Sequence, residues 1–285
     1  IIESVGEKSM LTYAGGIVAG MWWSGTTHLS YGIVTDSAIT ASSIAPYAYA
    51  GGIAGLIQSS TVSYCLAQDT DVKAVSEQAN AYAGGIAARS KNGGDKIVYS
   101  YSNASLNAQG VNEKASLKYG IIAMLGGNLI TDSDAAKNFF VYETAGTASA
   151  YPGDTNTRAL YLASGYQNKA SLSAGNSIQV YSAVTTSQSG TMTIKSHNSN
   201  IASVSGLYVT GRNAGVAYIS AYCKINNVEY LLCSYPVTVN NANENGSGIA
   251  LKTDDGTDLS SAKCDEYMTY VQGSGTTSTT YIYFR

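Results

Sequence analysis

The chain has 285 residues, enough for two or three domains with cores of their own, and 12% of them are charged against a usual share of about 25%. A formal charge of −3 leaves no electrostatic footprint for nucleic acid. No apolar run approaches the roughly 20 residues of a membrane helix, and the 23 Tyr and 30 Gly favour strands over helices.

Residues 1–12 lead into the body of the chain without a capping pattern. The start at Ile1-Ile2-Glu3, with no initiating Met, reads as a mature or excised piece of something longer. An uncapped end of this kind is an unpaired sheet edge, so further sequence is expected before it.

Tyr13-Ala14-Gly15-Gly16-Ile17 is then restated as Tyr49-Ala50-Gly51-Gly52-Ile53 and Tyr82-Ala83-Gly84-Gly85-Ile86, with a worn copy at Tyr119-Gly120-Ile121-Ile122. Gly16, Gly52, Gly85 and Gly120 are separated by 36, 33 and 35 residues. Ile39, Val72 and Leu106 repeat in the same phase, at 33 and 34. An aromatic echo follows each glycine block: Ser30-Tyr31, Ser63-Tyr64, Ser100-Tyr101 and Phe139-Phe140. Several series holding one period are the mark of stacked repeats. The expectation is an all-β chain whose residues 1–150 form a β-solenoid of about four coils, with Ile17, Ile53, Ile86 and Ile121 stacked inward. The glycine pairs mark a corner of unusual φ, or a backbone approach too close for a Cβ.

Met21-Trp22-Trp23 holds both tryptophans and reads as edge packing at a corner, with a sugar-stacking platform as the alternative. Tyr13, Tyr49 and Tyr82 share one face of the repeat. Tyr gives broad contact area at small entropic cost, so these three, with Trp22 and Trp23, are the candidate ligand-binding residues. Cys65 reads as a small buried hydrophobe. The fourth copy carries an insertion through Gly126-Gly127-Asn128 and Thr131-Asp132-Ser133-Asp134, as a closing repeat would. Residues 151–168 open on Tyr151-Pro152-Gly153-Asp154, which is turn chemistry, and read as a linker.

From residue 169 the pattern becomes short strands at short spacing: Ile178-Gln179-Val180-Tyr181, Met192-Thr193-Ile194, Ile201–Val204, Leu207–Thr210, Ala217–Ser220 and Tyr235–Val239. Six or seven such strands by residue 240 predict a β-sandwich. Cys223 and Cys233 flank the turn signal Asn226-Asn227, which places them on neighbouring strands and makes them a candidate disulfide. Residues 241–285 read as extra β-structure, either completing a sheet or forming a partial domain, with strands at 249–252, 267–271 and 280–284.

Candidate chemistry is sparse. The four cysteines, Cys65, Cys223, Cys233 and Cys264, form no C-x-x-C pair, and there are two histidines, so no metal or other cofactor is expected. Asp254, Asp255 and Asp258 lack the spacing of a calcium loop and read as a solvated turn. Asp69 with Asp71, or Asp132 with Asp134, are candidate carboxylate pairs for glycoside chemistry, though solenoid turns carry Asp for backbone bonding. His28 and His197 fall in different predicted domains with no nucleophile motif beside them.

Ser199-Asn200-Ile201-Ala202-Ser203-Val204, Val209-Thr210-Gly211, Ala214–Ala221 and Val237-Thr238-Val239 together resemble the bacterial immunoglobulin-like group 2 domain, over roughly residues 170–240. The chain departs from that pattern at Lys195-Ser196-His197, where the family usually has a Trp. The Ala-Gly-Gly-Ile-Ala-Gly units with their Ser-Tyr-Cys echo resemble the GLUG repeat over about residues 10–145. Both resemblances imply a bacterial cell-surface or secreted, extracellular protein of adhesin-like type. The implied role is non-catalytic: ligand binding, or a stalk or spacer, with a glycan or another surface protein as partner. The alternative is the accessory or carbohydrate-binding region of a larger secreted enzyme.

Overall fold

The computed structural model describes residues 1–6, 11–44, 47–91, 94–111, 116–126, 138–140, 145–147, 149–154, 160–162, 170–180, 184–186, 190–241, 267–274 and 277–284. Strand β1 (Ile2–Gly6) precedes a first coil of β2 (Thr12–Gly15), β3 (Val18–Ser30), β4 (Ile33–Thr35) and β5 (Ala38–Ser43). The second coil is β6 (Ala48–Gly51), β7 (Ala54–Ser63), β8 (Leu66–Gln68) and β9 (Asp71–Ser76). The third is β10 (Ala81–Gly84), β11 (Ala87–Ser90), β12 (Lys96–Val98), β13 (Tyr101–Ser102) and β14 (Ser105–Gln109). The fourth copy supplies β15 (Leu117–Tyr119), β16 (Ile122–Leu125) and β17 (Phe139–Phe140).

Equivalent strands stack into four parallel sheets, so the chain is a β-solenoid of about three turns rather than about four, the last copy completing no turn among the described residues. The register follows the sequence period: Tyr13 pairs with Tyr49 and Tyr49 with Tyr82, while Ile39 pairs with Val72 and Val72 with Leu106. Between the sheets lies one apolar core containing Ile39, Ile53, Val72, Ile86, Leu106 and Ile121. Ile17 departs from the expected column. It is 42% exposed, since among the described residues it stands at the end of the stack.

The glycine corner explains itself by contact, not by φ. A Cβ on Gly52 would sit 2.1 Å from the Gly85 carbonyl oxygen, and one on Gly85 would sit 2.0 Å from that of Gly120. Successive coils therefore approach backbone to backbone. At each corner two consecutive N–H groups share one carbonyl of the next coil: Ile17 and Val18 donate to Ile53, Ile53 and Ala54 to Ile86, and Ile86 and Ala87 to Ile121. Ile121 and Ile122 continue the series onto Ala150, which with Tyr151 is buried in the solenoid core. Ser149 and Ala150 thus cover this corner, and the expected turn at Pro152-Gly153-Asp154 folds back through an Asp154 N–H to Tyr151 carbonyl bond.

Beyond the solenoid, β18 (Leu160–Leu162) precedes β19 (Ala170–Ser173), β20 (Ser177–Gln179), β21 (Val184–Thr186), β22 (Thr191–Ser196), β23 (Ala202–Ser205), β24 (Tyr208–Gly211), β25 (Gly215–Ile225) and β26 (Val228–Asn240). One sheet has the order β19-β26-β25-β22 and the other β20-β24-β23, with β18 and β21 forming a separate pair. The two larger sheets share a core that includes Leu172, Ile194, Ala202, Val209, Ile219 and Tyr235. Strands β25 and β26 form a long hairpin whose two-residue loop, Asn226-Asn227, has φ of 49° and 65°. Two successive left-handed residues match the twist of a tight hairpin, which is why the Asn-Asn signal was sound.

Cys223 and Cys233 do lie on these neighbouring strands, but Cys223 is opposite Tyr230 and Cys233 opposite Ala221. Cys233 packs into the core between the two sheets, whereas Cys223 packs with Leu66, Tyr101 and Tyr230 toward the solenoid. The two cysteines are not cross-strand partners: Cys223 lies two residues beyond Ala221, past the irregularity between Ala221 and Tyr222, and it is unbonded.

Residues 1–240 form one compact unit, and 241–285 form another. Within the second, β27 (Tyr267–Ser274) and β28 (Thr277–Phe284) make an antiparallel hairpin that pairs Tyr267 with Phe284. The expected strand at 249–252, Cys264 and the Asp254–Asp258 group lie outside the described residues.

Candidate functional site

The tyrosines singled out by the repeat stack into a column. Tyr13 and Tyr49 have ring centroids 5.0 Å apart and Tyr49 and Tyr82 5.1 Å apart, nearly parallel in both cases. Tyr49 is 1% exposed and Tyr82 8%, and with Ala88 and Ala123 they form a small core of their own. The Arg89 guanidinium donates to the Tyr13 hydroxyl at 2.9 Å and lies 5.2 Å from the Tyr49 ring centre. Burial pushes the Tyr49 phenol well above its ordinary value, with Arg89 pulling the other way. Tyr49 and Tyr82 are buried and pack the solenoid, whereas Tyr13, at the end of the column, is half-buried. Trp22 is 53% exposed and tilts against Tyr13 at 6.5 Å, while its ring also covers Gly20. Trp23 belongs to β3, and its side chain lies outside the described residues.

A second tyrosine column was not legible as such. Tyr31 stacks on Tyr64 at 5.1 Å and Tyr64 on Tyr99 at 5.0 Å. The expected echo paired Ser100-Tyr101 with Ser63-Tyr64. The register instead sets Ser63 beside Val98, and Tyr101 beside Leu66 and Phe139. The third echo is displaced by two residues: the Ser-Tyr pair points to Tyr101, whereas the strand pairing sets Tyr99 in the column. All three column members are left-handed, with φ of 59°, 54° and 57°. The neighbouring corner also turns left-handed, at Asp36 and Asp69, where a short polar side chain suits the turn. Tyr has no such excuse, since an L-residue there costs roughly 1–2 kcal/mol. Burial, then the adjoining Tyr99 and Tyr31 phenols, raise the Tyr64 hydroxyl above its usual range.

This second column lies along the seam where the β25–β26 hairpin meets the solenoid. Leu66, Tyr101 and Phe139 of the solenoid pack against Cys223, Ile225, Tyr230, Leu231 and Leu232. Gln68, fully buried, accepts the Ser234 N–H through Oε1 at 2.8 Å, and its Nε2 donates to Asp69 at 3.1 Å. Two depressions open on the seam. One is lined by Tyr31, Tyr64, Tyr222, Glu229 and Leu231 and has a volume of about 80 Å³. The larger, about 440 Å³, is lined by Ile33, Thr35, His197, Tyr218 and Ser234.

The polar groups here are mostly hydroxyls. Lys195 and Glu229 pair at 2.8 Å, and Lys195 Nζ also lies 4.6 Å over the Tyr222 ring. Both members are over 40% exposed, so the pair orients side chains more than it stabilises. His197 Nε2 is 2.8 Å from the Ser220 hydroxyl, which donates to Ser234 Oγ at 3.1 Å. Sequence reasoning found no nucleophile motif beside His197; the register that sets Ser196 opposite Ile219 brings Ser220 to it across the sheet. Ser220 is fully buried, and among the described residues no carboxylate orients His197. The contact therefore reads as part of the seam's packing, not as a base activating a nucleophile. His28, on β3, is remote from this group in the chain and is exposed.

Of the candidate carboxylates, Asp69 accepts from Asn103 Nδ2 at 3.0 Å while its own N–H donates to Asn103 Oδ1 at 2.7 Å. That is a turn-to-turn bridge between coils, the backbone role expected of solenoid acids. Asp132 and Asp134 lie outside the described residues. By fold the chain is a β-solenoid joined to a two-sheet β unit. It matches no model of a known protein family, and no curated protein matches it in sequence.

Proposed function

We propose that the chain is a non-catalytic interaction module of a bacterial surface or secreted protein, with the solenoid and the two-sheet unit acting as one stalk and the seam as its ligand-binding face. The observation that carries this reading is the column Tyr31–Tyr64–Tyr99, which holds an unfavourable backbone conformation three times to set phenol rings beside Tyr222. Tyr31, at the end of the column, is 69% exposed and keeps an outer ring face for stacking. The inner members offer edges and hydroxyls. Hydroxyl donors and acceptors beside an open aromatic face, with the nearby charges already paired, suit a neutral glycan better than a charged polymer.

The fold adds support to the resemblances. A four-strand sheet facing a three-strand sheet, with β19 parallel to the last strand β26, is an arrangement consistent with an immunoglobulin-like domain. The coil period and the glycine corner suit a GLUG-like repeat. The extracellular assignment rests on those resemblances. The accessory-region alternative uses the same seam and differs in what else the polypeptide carries. A glycan array probed with the purified chain tests the reading: selective binding to neutral oligosaccharides supports it. Turnover of any polysaccharide, abolished by one Asp→Asn change, would show an enzyme instead.

A further inference from the structure

The flank of the solenoid carries a charge that its repeat does not require. In one row across the coils, Gly20 stands beside Leu56, Leu56 beside Arg89, and Arg89 beside Met124. Leu56 and Met124 are apolar side chains, so packing at this position asks for no cation. Arg89 has a coil on either side of it, and it is half-buried on the flank, away from both ends of the stack.

Among the described residues Arg89 meets no carboxylate. Its Nη1 donates to the Tyr13 hydroxyl at 2.9 Å, its Cζ lies 5.2 Å from the Tyr49 ring centre, and its Nε is buried without a hydrogen-bond partner. A cation drawn partly out of water with no counter-charge is unfavourable. One ring face and one neutral acceptor offset that in part. Because the Tyr13 hydroxyl accepts from Arg89, its own proton is left without an acceptor among the described residues. Trp22 stands beside this pair: its ring covers Gly20 in the same row, tilts against Tyr13 at 6.5 Å and is 53% exposed.

We propose that Arg89, Tyr13 and Trp22 form a second binding site, for the carboxylate of an acidic sugar of the uronate class. Nη2 and the remaining Nη1 hydrogen can address the two oxygens of one carboxylate, and the Tyr13 hydroxyl adds a neutral donor. Trp22 offers a flat apolar face on which the sugar ring stacks. One guanidinium on a chain of net charge −3 suits a monoanion better than a phosphate dianion. The site shares no residue with the seam and does not rest on the role proposed there.

Calorimetric titration with an oligogalacturonate and with its methyl ester, which has the same rings without the charge, tests it. The acid is expected to bind, and the ester at least tenfold more weakly. Arg89→Met, which places there the side chain that position 124 already carries, is expected to bind the acid at least tenfold more weakly. Tyr31→Ala/Tyr222→Ala, at the seam, is expected to leave that affinity unchanged. Fluorescence of the unaltered chain gives a reading that needs no variant, because Trp22 is one of two tryptophans. The acid shifts the emission and the ester does not, and the response weakens as added salt screens the ion pair. Equal binding of acid and ester, undiminished binding by Arg89→Met, or loss of acid binding in the seam variant overturns the proposal. So does displacement of the acid by an equal concentration of acetate or inorganic phosphate, or no response to the acid at millimolar concentration.

Discussion

Gln68 and Ser234 stand 166 positions apart and share a buried 2.8 Å hydrogen bond, the Ser234 N–H donating to the Gln68 side-chain oxygen. That bond crosses the seam between solenoid and two-sheet unit. Replacing Gln68 by Ala strands a buried donor, which costs about 1–3 kcal/mol. Urea unfolding of the variant is expected to show this loss, together with a broadened or split transition as the two halves uncouple. An unchanged midpoint would mean that the seam contributes nothing to stability.

The inward aliphatic column makes a graded prediction. Ile53 is fully buried, so Ile53→Ala is expected to lose about 2–5 kcal/mol. Ile17→Ala, at the open end, is expected to lose less than about 1 kcal/mol. Equal losses at the two positions, measured by denaturant titration, would contradict the stacking order.

Gly52→Ala tests the corner. The new methyl would meet the Gly85 carbonyl oxygen at 2.1 Å, and that atom is backbone, held by the next coil. Overpacking of this kind costs about 1–3 kcal/mol or more. Gly94→Ala is the contrast: its site is spacious but its φ is +98°, so the cost there is conformational, not steric. Thermal melts of both variants separate the two causes.

Burial pushes the Cys65 thiol from its ordinary 9.0 up to about 11, against smaller opposing effects from backbone bonds at Gly32 and Ser63. A raised folded value means the neutral thiol is favoured in the native state. Its contribution is complete below about pH 9 and is lost as the pH rises toward about 11, amounting to about 2–3 kcal/mol. The buried phenols of Tyr49, Tyr230 and Tyr235 are raised as well and add to the same alkaline loss. Urea midpoints should fall steadily above about pH 9 and stay flat just below it. In Cys65→Ala the fall should be shallower.

The periodicity was readable because close coil contact forbids a side chain at Gly52 and Gly85, and that constraint leaves a visible mark once per turn. The exposure of Ile17 was not readable, since a sequence column has no top or bottom until its neighbours are placed. Tyr31, Tyr64 and Tyr99 escaped for a related reason: the Ser-Tyr pair favoured Tyr101, although its step of 37 exceeds the coil period, and strand register identifies Tyr99. The seam left no local signal at all. Gln68 looks like an ordinary strand-end glutamine, and Ser234 lies within a hydrophobic strand. Their bond exists because the β25–β26 hairpin is long enough to reach the solenoid, which no short motif encodes.

The most direct measurement of the ligand-binding claim is a calorimetric titration of an array-selected neutral oligosaccharide into the chain and into a Tyr31→Ala/Tyr222→Ala double variant. Both side chains line the seam at its smaller depression, and Tyr31 is largely exposed, so the fold should survive their removal. Aromatic stacking contributes about 0.5–1.5 kcal/mol beyond area burial, so the account predicts at least a tenfold loss of affinity in the double variant, with an unchanged melting temperature. Undiminished binding by the double variant would contradict the assignment of the seam as the ligand face.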